Sequence, residues 1–214
     1  MSINIAAGLS LPFFPMRPKM GVRLTSVEQA LKEISALHHL YVFQPKMNGD
    51  RVLLATCAWK NGGTHVKPTP VIEAYQRYGK PYTFSFDKTP WMALPDLTCL
   101  DGEVKDGKFH PFELLALAGE SWLRKSVEER IEGAKDMCTK CGDTYKFDFK
   151  AFTDSELSPL EEFITRHLTP SKLPRNTSPY WEGLVAKKKG SKYNILGSIQ
   201  DDPLWTKLKW SYAQ

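Results

Sequence analysis

No stretch of this 214-residue sequence approaches the roughly 18 consecutive apolar residues of a membrane span. Met1 to Leu11 lacks the charged start, long apolar stretch and cleavage site of a secretory signal. Cysteine is sparse: Cys57, Cys99, Cys138 and Cys141 are too few and too unevenly spaced for a disulfide framework, so reduced thiols are expected. Internal repeats and low-complexity linkers are absent too. These absences predict a soluble protein of the cytoplasm, intracellular and reducing, with no membrane partner. The composition, 42% hydrophobic and 25% charged, suits one domain with a core and excludes a disordered tail, a collagen-like chain and a disulfide miniprotein.

Charge is informative by position. The chain holds 29 Lys and Arg against 24 Asp and Glu, and the whole excess of +5 lies after residue 170. There Lys172, Arg175, Lys187, Lys188, Lys189, Lys192, Lys207 and Lys209 face only Glu182, Asp201 and Asp202. Such a concentration of cations suits phosphate, in a nucleotide or along a nucleic-acid backbone, and taken alone it also describes a solvated basic face.

The Pro-rich start (Pro12, Pro15, Pro18) predicts an extended segment leading to a helix near Ser26, where Ser26 and Gln29 have capping-box spacing. Val27, Ala30, Leu31, Ile34 and Leu37 then give it one buried face. Leu40 to Phe43 and Val52 to Ala58 read as strands flanking Lys46 to Arg51, the second folding back through Asn61-Gly62-Gly63 to Thr64 to Lys67. Asp106-Gly107 predicts a hairpin between Thr98 to Val104 and Lys108 to Leu115. Ser126 and Glu129 open a helix to Met137. Tyr145 to Phe152 alternates as a strand, Pro159 to His167 reads as a helix, and strands are expected at Gly183 to Lys187 and Leu204 to Trp210. Strands and helices mix without regular βαβ alternation, which predicts an α+β fold built on antiparallel sheets. Cys138-x-x-Cys141 lacks a second pair for zinc and reads as a turn. His38-His39 reads as a helix end. Trp91, Trp122 and Trp181 suit either a core or stacking on an unpaired base.

Chemistry concentrates in five segments. Gln44-Pro45-Lys46-Met47-Asn48-Gly49-Asp50-Arg51 sets an amine, a close backbone approach and a guanidinium where one phosphate would fit, though Lys-x-Asn-Gly alone also describes surface turns. Leu100-Asp101-Gly102-Glu103-Val104 and Trp181-Glu182-Gly183-Leu184-Val185-Ala186-Lys187 each put a carboxylate on a predicted strand beside a glycine. Trp205-Thr206-Lys207-Leu208-Lys209 puts two lysines on one face of a strand, because side chains alternate. With Phe112-Glu113-Leu114-Leu115 these supply a nucleophile, acidic groups for a divalent metal and cations for polyphosphate.

In this order the segments resemble the motifs of the covalent nucleotidyltransferase superfamily, and within it the adenylation domain of ATP-dependent DNA ligases. Glu128-Glu129-Arg130 is ligase-like as well. The resemblance spans residues 44 to 209 and implies a nucleotidyltransferase domain over 1–214, antiparallel sheets flanked by helices with a nucleotide cleft between them. It implies that Lys46 attacks the α-phosphate of ATP and holds AMP as a phosphoramidate, which is covalent catalysis by an activated amine. Glu103 and Glu182 would hold Mg²⁺ and the ribose edge. Lys187, Lys207 and Lys209 would neutralise the α-phosphate and the departing pyrophosphate. Phe112 and Val185 would sandwich adenine, Gln44 would stand at the adenine contact, and Arg51 would meet the nucleotide or a 5′-phosphate. Lys60, Lys188, Lys189 and Lys192 would meet nucleic acid.

The departures from the pattern are Asn48 for Asp, Gln44 for Glu, Glu113 for Asp, and Trp59-Lys60 where ligases often carry Ser-Arg. The sequence shows neither an OB-fold domain after Lys209 nor an N-terminal DNA-binding domain. The expected protein is therefore a compact, monomeric ligase of phage or accessory type acting on nicked duplex DNA, with a protein partner as one substitute for the OB domain. An RNA ligase or capping-type nucleotidyltransferase remains open, as does a non-catalytic nucleic-acid-binding module of the same fold.

Overall fold

The computed structural model describes residues 3–6, 9–11, 15–57, 71–77, 79–141, 157–167, 181–195 and 201–210. In chain order its elements are β1 (Ile3–Ala6), β2 (Leu9–Leu11), β3 (Arg17–Leu24), α1 (Val27–Leu37), β4 (Tyr41–Met47), β5 (Asp50–Cys57), β6 (Val71–Gln76), β7 (Cys99–Lys105), β8 (Lys108–Leu117), β9 (Glu120–Ser121), α2 (Val127–Lys140), α3 (Leu157–His167), β10 (Trp181–Lys188) and β11 (Asp201–Trp210). The fold is α+β, as expected. The chain forms two compact units, one of Met1–Pro15, Gly49–Phe149 and Lys192–Ile199, the other of Met16–Asn48, Lys150–Ser191 and Gln200–Gln214. The strand at Tyr145 to Phe152 and the hairpin through Asn61-Gly62-Gly63 lie outside the described residues, as does Lys60.

The second unit carries a four-stranded sheet in the order β3-β11-β10-β4. Its pairings are antiparallel except β11 with β3, which is parallel. Leu184, Ala186, Leu208, Phe43 and Trp210 point to one face and pack with Ala30 and Ile34 of α1 and Leu160, Phe163 and Ile164 of α3. Ser26 caps α1 by accepting from Gln29 N–H. The Gln29 side chain reaches back to Thr25 rather than to Ser26, so the expected box is shifted by one residue. α3 starts two residues earlier than expected, at Leu157, which places Pro159 in the first turn, where a missing N–H costs no helical bond. Pro18 and Pro45 sit on β3 and β4, the edge strands, and Pro203 lies at a register shift in β11, the places a sheet tolerates proline.

The first unit carries a five-stranded sheet in the order β6-β5-β7-β8-β9 and a small β1-β2 pair. Asp106 and Gly107 both have positive φ, 49° and 71°, the primed turn expected of this pair. A second such turn, Ala118-Gly119 at 50° and 83°, joins β8 to β9 and was not apparent from sequence. Val52, Leu54, Leu100, Val104, Phe109 and Leu114 form the core face, closed by Ala134 and Met137 of α2 and by Trp91. The capping box at Ser126 and Glu129 is complete. α2 continues to Lys140, so Cys138 lies in its last turn and Cys141 caps it; the pair belongs to a helix end rather than a turn.

Strand β4 runs through Met47 and β5 begins at Asp50, so Lys46 and Arg51 lie on strands instead of in a loop. Only Asn48 and Gly49 separate β4 from β5. A Cβ on Gly49 would meet the Val104 carbonyl oxygen at 2.2 Å, which explains the glycine by packing against β7 and not by approach to a phosphate.

Candidate functional site

In the second unit, register decides which side chains meet. Lys46 on β4 and Lys209 on β11 both pair with Gly183 on β10. Gln44 and Lys207 both pair with Val185, and Val42 and Trp205 with Lys187. Residues paired across a sheet share a face, so three adjacent rows gather Gln44, Lys46, Val185, Lys187, Lys207 and Lys209 opposite the helix-packed core.

Glu182 joins them through an irregularity. Trp181 pairs with Met47 and Gly183 with Lys46, leaving Glu182 as the extra residue of a β-bulge. The bulge reverses the alternation, so Trp181 stays in the core while Glu182 turns to the lysine face. Its Oε1 accepts from Lys46 Nζ, and its Oε2 from Lys209 Nζ at 2.8 Å. Burial acts to raise the Glu182 carboxyl, but the hydrogen bonds and charges of Lys209 and Lys46 outweigh it and hold the group below the usual carboxylate range. Lys207 is pushed below the usual lysine value, first by burial and then by Arg17, Lys46 and Lys209 against the opposing pull of Asp201. Lys187 is buried with its ammonium over the Trp205 ring, 4.0 Å from the centroid. Gln44 is buried as well.

The first unit repeats the pattern. Arg51 pairs with Glu103 across β5 and β7, and Asp101 with Glu113 across β7 and β8, all opposite the core face. Phe112 is the bulge residue of β8, between Glu113, which pairs with Asp101, and Pro111, which pairs with Gly102. Arg51 is forked onto Asp101, Nε to Oδ1 at 3.0 Å and Nη2 to Oδ2 at 2.5 Å, and lies 5.4 Å above the Phe112 ring. Tyr193 donates to Asp101 Oδ2 at 2.7 Å. Burial, and after it the Asp101 carboxylate, raise the Tyr193 hydroxyl well above its ordinary value, so it stays a donor. Arg130 and Glu113 form a fully buried pair at 2.7 Å, and the Arg130 guanidinium lies 5.6 Å from the Tyr193 ring centre. Glu103 accepts from Gly49 N–H at 2.8 Å.

Solved structures share this architecture. A mycobacterial DNA ligase D complexed with ATP and MES superposes with a TM-score of 0.55 at 15% identity, over 92% of this chain and 60% of the other. The structure described as Pmar-Lig_Pre gives 0.52 at 18% identity, over 92% and 47%. Pmar-Lig_PreS3 gives 0.50 at 17% identity, over 95% and 48%. The chain has a ligase-like adenylation-domain fold. It spans between 47% and 60% of the length of these ligase chains. No family model and no curated protein matches the sequence. On the ligase-like fold the expected residues divide by unit: Gln44, Lys46, Glu182, Val185, Lys187, Lys207 and Lys209 share the sheet of the second, while Arg51, Glu103 and Phe112 share that of the first.

Magnesium was expected at Glu103 and Glu182. Both Glu182 oxygens face ammonium groups, so Glu182 fits an anchor for Lys46 and Lys209 and fits a cation poorly. The Glu103 carboxylate fits a single contact to an ion whose other ligands are phosphate and water. Among the described residues no group of three or more His, Cys, Asp or Glu could hold a metal ion. Lys188 and Lys192 are exposed and Lys189 is half-buried. Phe112 has the Arg51 guanidinium over its ring, 5.4 Å from the centroid. Sequence reasoning gave no role to Asp101 and missed Tyr193, because Tyr193 meets its partner across 92 residues and no local spacing encodes that contact. Cys99, Cys138 and Cys141 are free, and no helix is long and apolar enough to cross a membrane, both among the described residues.

Proposed function

We propose that this chain is the adenylating module of an ATP-dependent polynucleotide ligase, sealing 5′-phosphate/3′-hydroxyl nicks in DNA in preference to RNA. The observation that carries the reading is the row Lys46–Gly183–Lys209 with Glu182 bulged onto it: one nucleophilic amine, a second amine and the carboxylate that spaces them. The ligase-like fold supports the same reading.

In the proposed first step Lys46 Nζ loses a proton to solvent and its lone pair attacks the α-phosphorus of ATP. The N–P bond forms, the bond to the bridging oxygen breaks, and pyrophosphate leaves with the electron pair. Lys209 and Lys207, one strand beyond Glu182 and Val185, meet the charge that grows on the leaving group. Lys187 contributes a fixed positive charge on the same face. Gln44 offers an amide to the adenine edge, with Val185 as an apolar contact for the base. Magnesium bound with the triphosphate would neutralise part of its charge, and Glu103 is the side chain suited to hold it. AMP then passes to a 5′-phosphate, which Lys60 suits as a point charge while Arg51 keeps its fork on Asp101, and a 3′-hydroxyl displaces AMP. Lys188, Lys189 and Lys192 would follow the nucleic-acid backbone, and a separate protein or domain would supply what an OB fold supplies in other ligases.

The test is to incubate the protein with Mg²⁺ and α-labelled ATP, GTP or NAD⁺, then chase with nicked 5′-phosphorylated DNA or RNA. Label is expected from ATP, absent in Lys46→Ala, and discharged by nicked DNA. Label from GTP, or discharge by nicked RNA alone, would move the chain to the capping or RNA-ligase class. Tight, salt-sensitive DNA binding with no label from any donor, and no sealing of pre-adenylated DNA, would leave a binding module.

A further inference from the structure

The cation row does not stop at Lys209. Lys209 pairs with Arg23 on β3, so one row crosses all four strands as Lys46, Gly183, Lys209 and Arg23. The parallel ladder is irregular at this point. Lys207 pairs with Met20 and Lys209 with Arg23, so β3 spends three residues where β11 spends two. Beyond the irregularity Leu24 enters the core and Val22 packs against it, which turns Arg23 to the opposite face, the face of Lys209. Arg23 is exposed, with no hydrogen bond or ion pair among the described residues.

The charges on this face do not balance. Glu182 serves both Lys46 and Lys209, and Asp201 is paired with Arg17 at 3.2 Å. Lys207 and Arg23 remain as further cations. A ligand that restores neutrality is a polyanion extending from Lys46 toward β3, over about 14 Å for three strand spacings. The outermost group is a guanidinium, whose fork matches two oxygens of a terminal phosphate, where the lysines offer point charges.

We propose that Arg23 binds the pyrophosphate end of the nucleoside triphosphate, completing a site that begins at Lys46. The assignment rests on the ligase reading for its nucleotide, and the phosphate site itself can be tested apart from that reading. Arg23 acts on the adenylation step, where pyrophosphate is present, and is idle in the later transfer of AMP to the nick. A donor whose leaving group is not pyrophosphate gains nothing from it.

The experiment measures calorimetric binding of inorganic pyrophosphate to the unlabelled protein and to Arg23→Ala, Arg23→Lys and Lys19→Ala. Lys19 is an exposed cation of the same strand that pairs with Thr206 instead of Lys207 or Lys209, so it controls for charge alone. Arg23→Ala is expected to weaken pyrophosphate about tenfold, Arg23→Lys to recover part of the loss, and Lys19→Ala to stay within about twofold of the parent. In Lys46 labelling, Arg23→Ala should raise KM for ATP while sealing of pre-adenylated nicked DNA proceeds at the parent rate. Equal weakening by Arg23→Ala and Lys19→Ala, no weakening by either, or a defect confined to nicked-DNA binding would overturn the site. Arg23-dependent pyrophosphate binding in a protein that takes no label and does not seal pre-adenylated DNA would overturn the ligase reading and leave the phosphate site standing.

Discussion

At the scale of single residues, the two sheets use charge in opposite ways. Lys46, Glu182 and Lys209 are half-buried, where a carboxylate can release its ammonium partners to a ligand. Glu113 and Arg130 are fully buried, where neither can leave without stranding the other. Glu113→Leu is therefore expected to cost about 3–5 kcal/mol in urea denaturation, and Glu113→Leu with Arg130→Met to recover most of it. A single-variant loss below about 1 kcal/mol would assign the pair the weight of a surface contact. Lys46, Glu182 and Lys209 stood out in the sequence because each sits in a short contiguous motif, but the ion pairs that join them did not. The link from Glu113 to Arg130 was only half legible: both residues stood out in the sequence, and nothing local joined them.

At the scale of elements, the deciding features are the bulges. Strand alternation alone would put Glu182 on the core side with Leu184 and Ala186, and the extra residue in β10 reverses this. Gly183 makes the bulge feasible: its φ is +148° and a Cβ there would meet the Leu208 carbonyl oxygen at 2.0 Å. Gly183→Ala should destabilise the protein by about 3 kcal/mol through strain and a forced separation of β10 from β11, and abolish Lys46 labelling even below its melting range. Parental stability with full labelling would show that the register tolerates the methyl group. Caps and tight turns were readable in advance, since Ser126 with Glu129 and Asp106-Gly107 carry their geometry within four residues. Bulges were not, because each is a mismatch between two strands distant in sequence.

At the scale of the whole molecule, stability should register the lysine face as a pH dependence. Lys209 and Lys46 hold Glu182 below the usual carboxylate range, so the folded chain binds its proton less readily than the unfolded chain. The resulting stabilisation is fully present above the unfolded carboxyl value, about 4.3, and is lost as pH falls through the lower folded value. Glu182→Gln should thus be less stable than the parent at pH 7, with the gap closing under acid in denaturant titrations. A gap that persists unchanged to about pH 3 would mean that the charge of Glu182 contributes nothing to folding. The basic excess after residue 170 is likewise divided by the fold: Lys187 is buried, Lys207 and Lys209 are part-buried on the sheet face, and Lys188 and Lys192 are exposed.

What the sequence determined by itself was everything carried by neighbours along the chain: the α+β class, helix starts, hairpin turns, the alternation of strands and the set of chemically capable side chains. Tertiary structure alone decided which of those side chains share a face. Lys46 meets Glu182 across 136 residues and Tyr193 meets Asp101 across 92, contacts that depend on strand order and register. Each compact unit is assembled from three separate segments of the chain. A one-residue shift in any ladder moves a side chain to the opposite face, so no local pattern could have named the row that ends at Arg23.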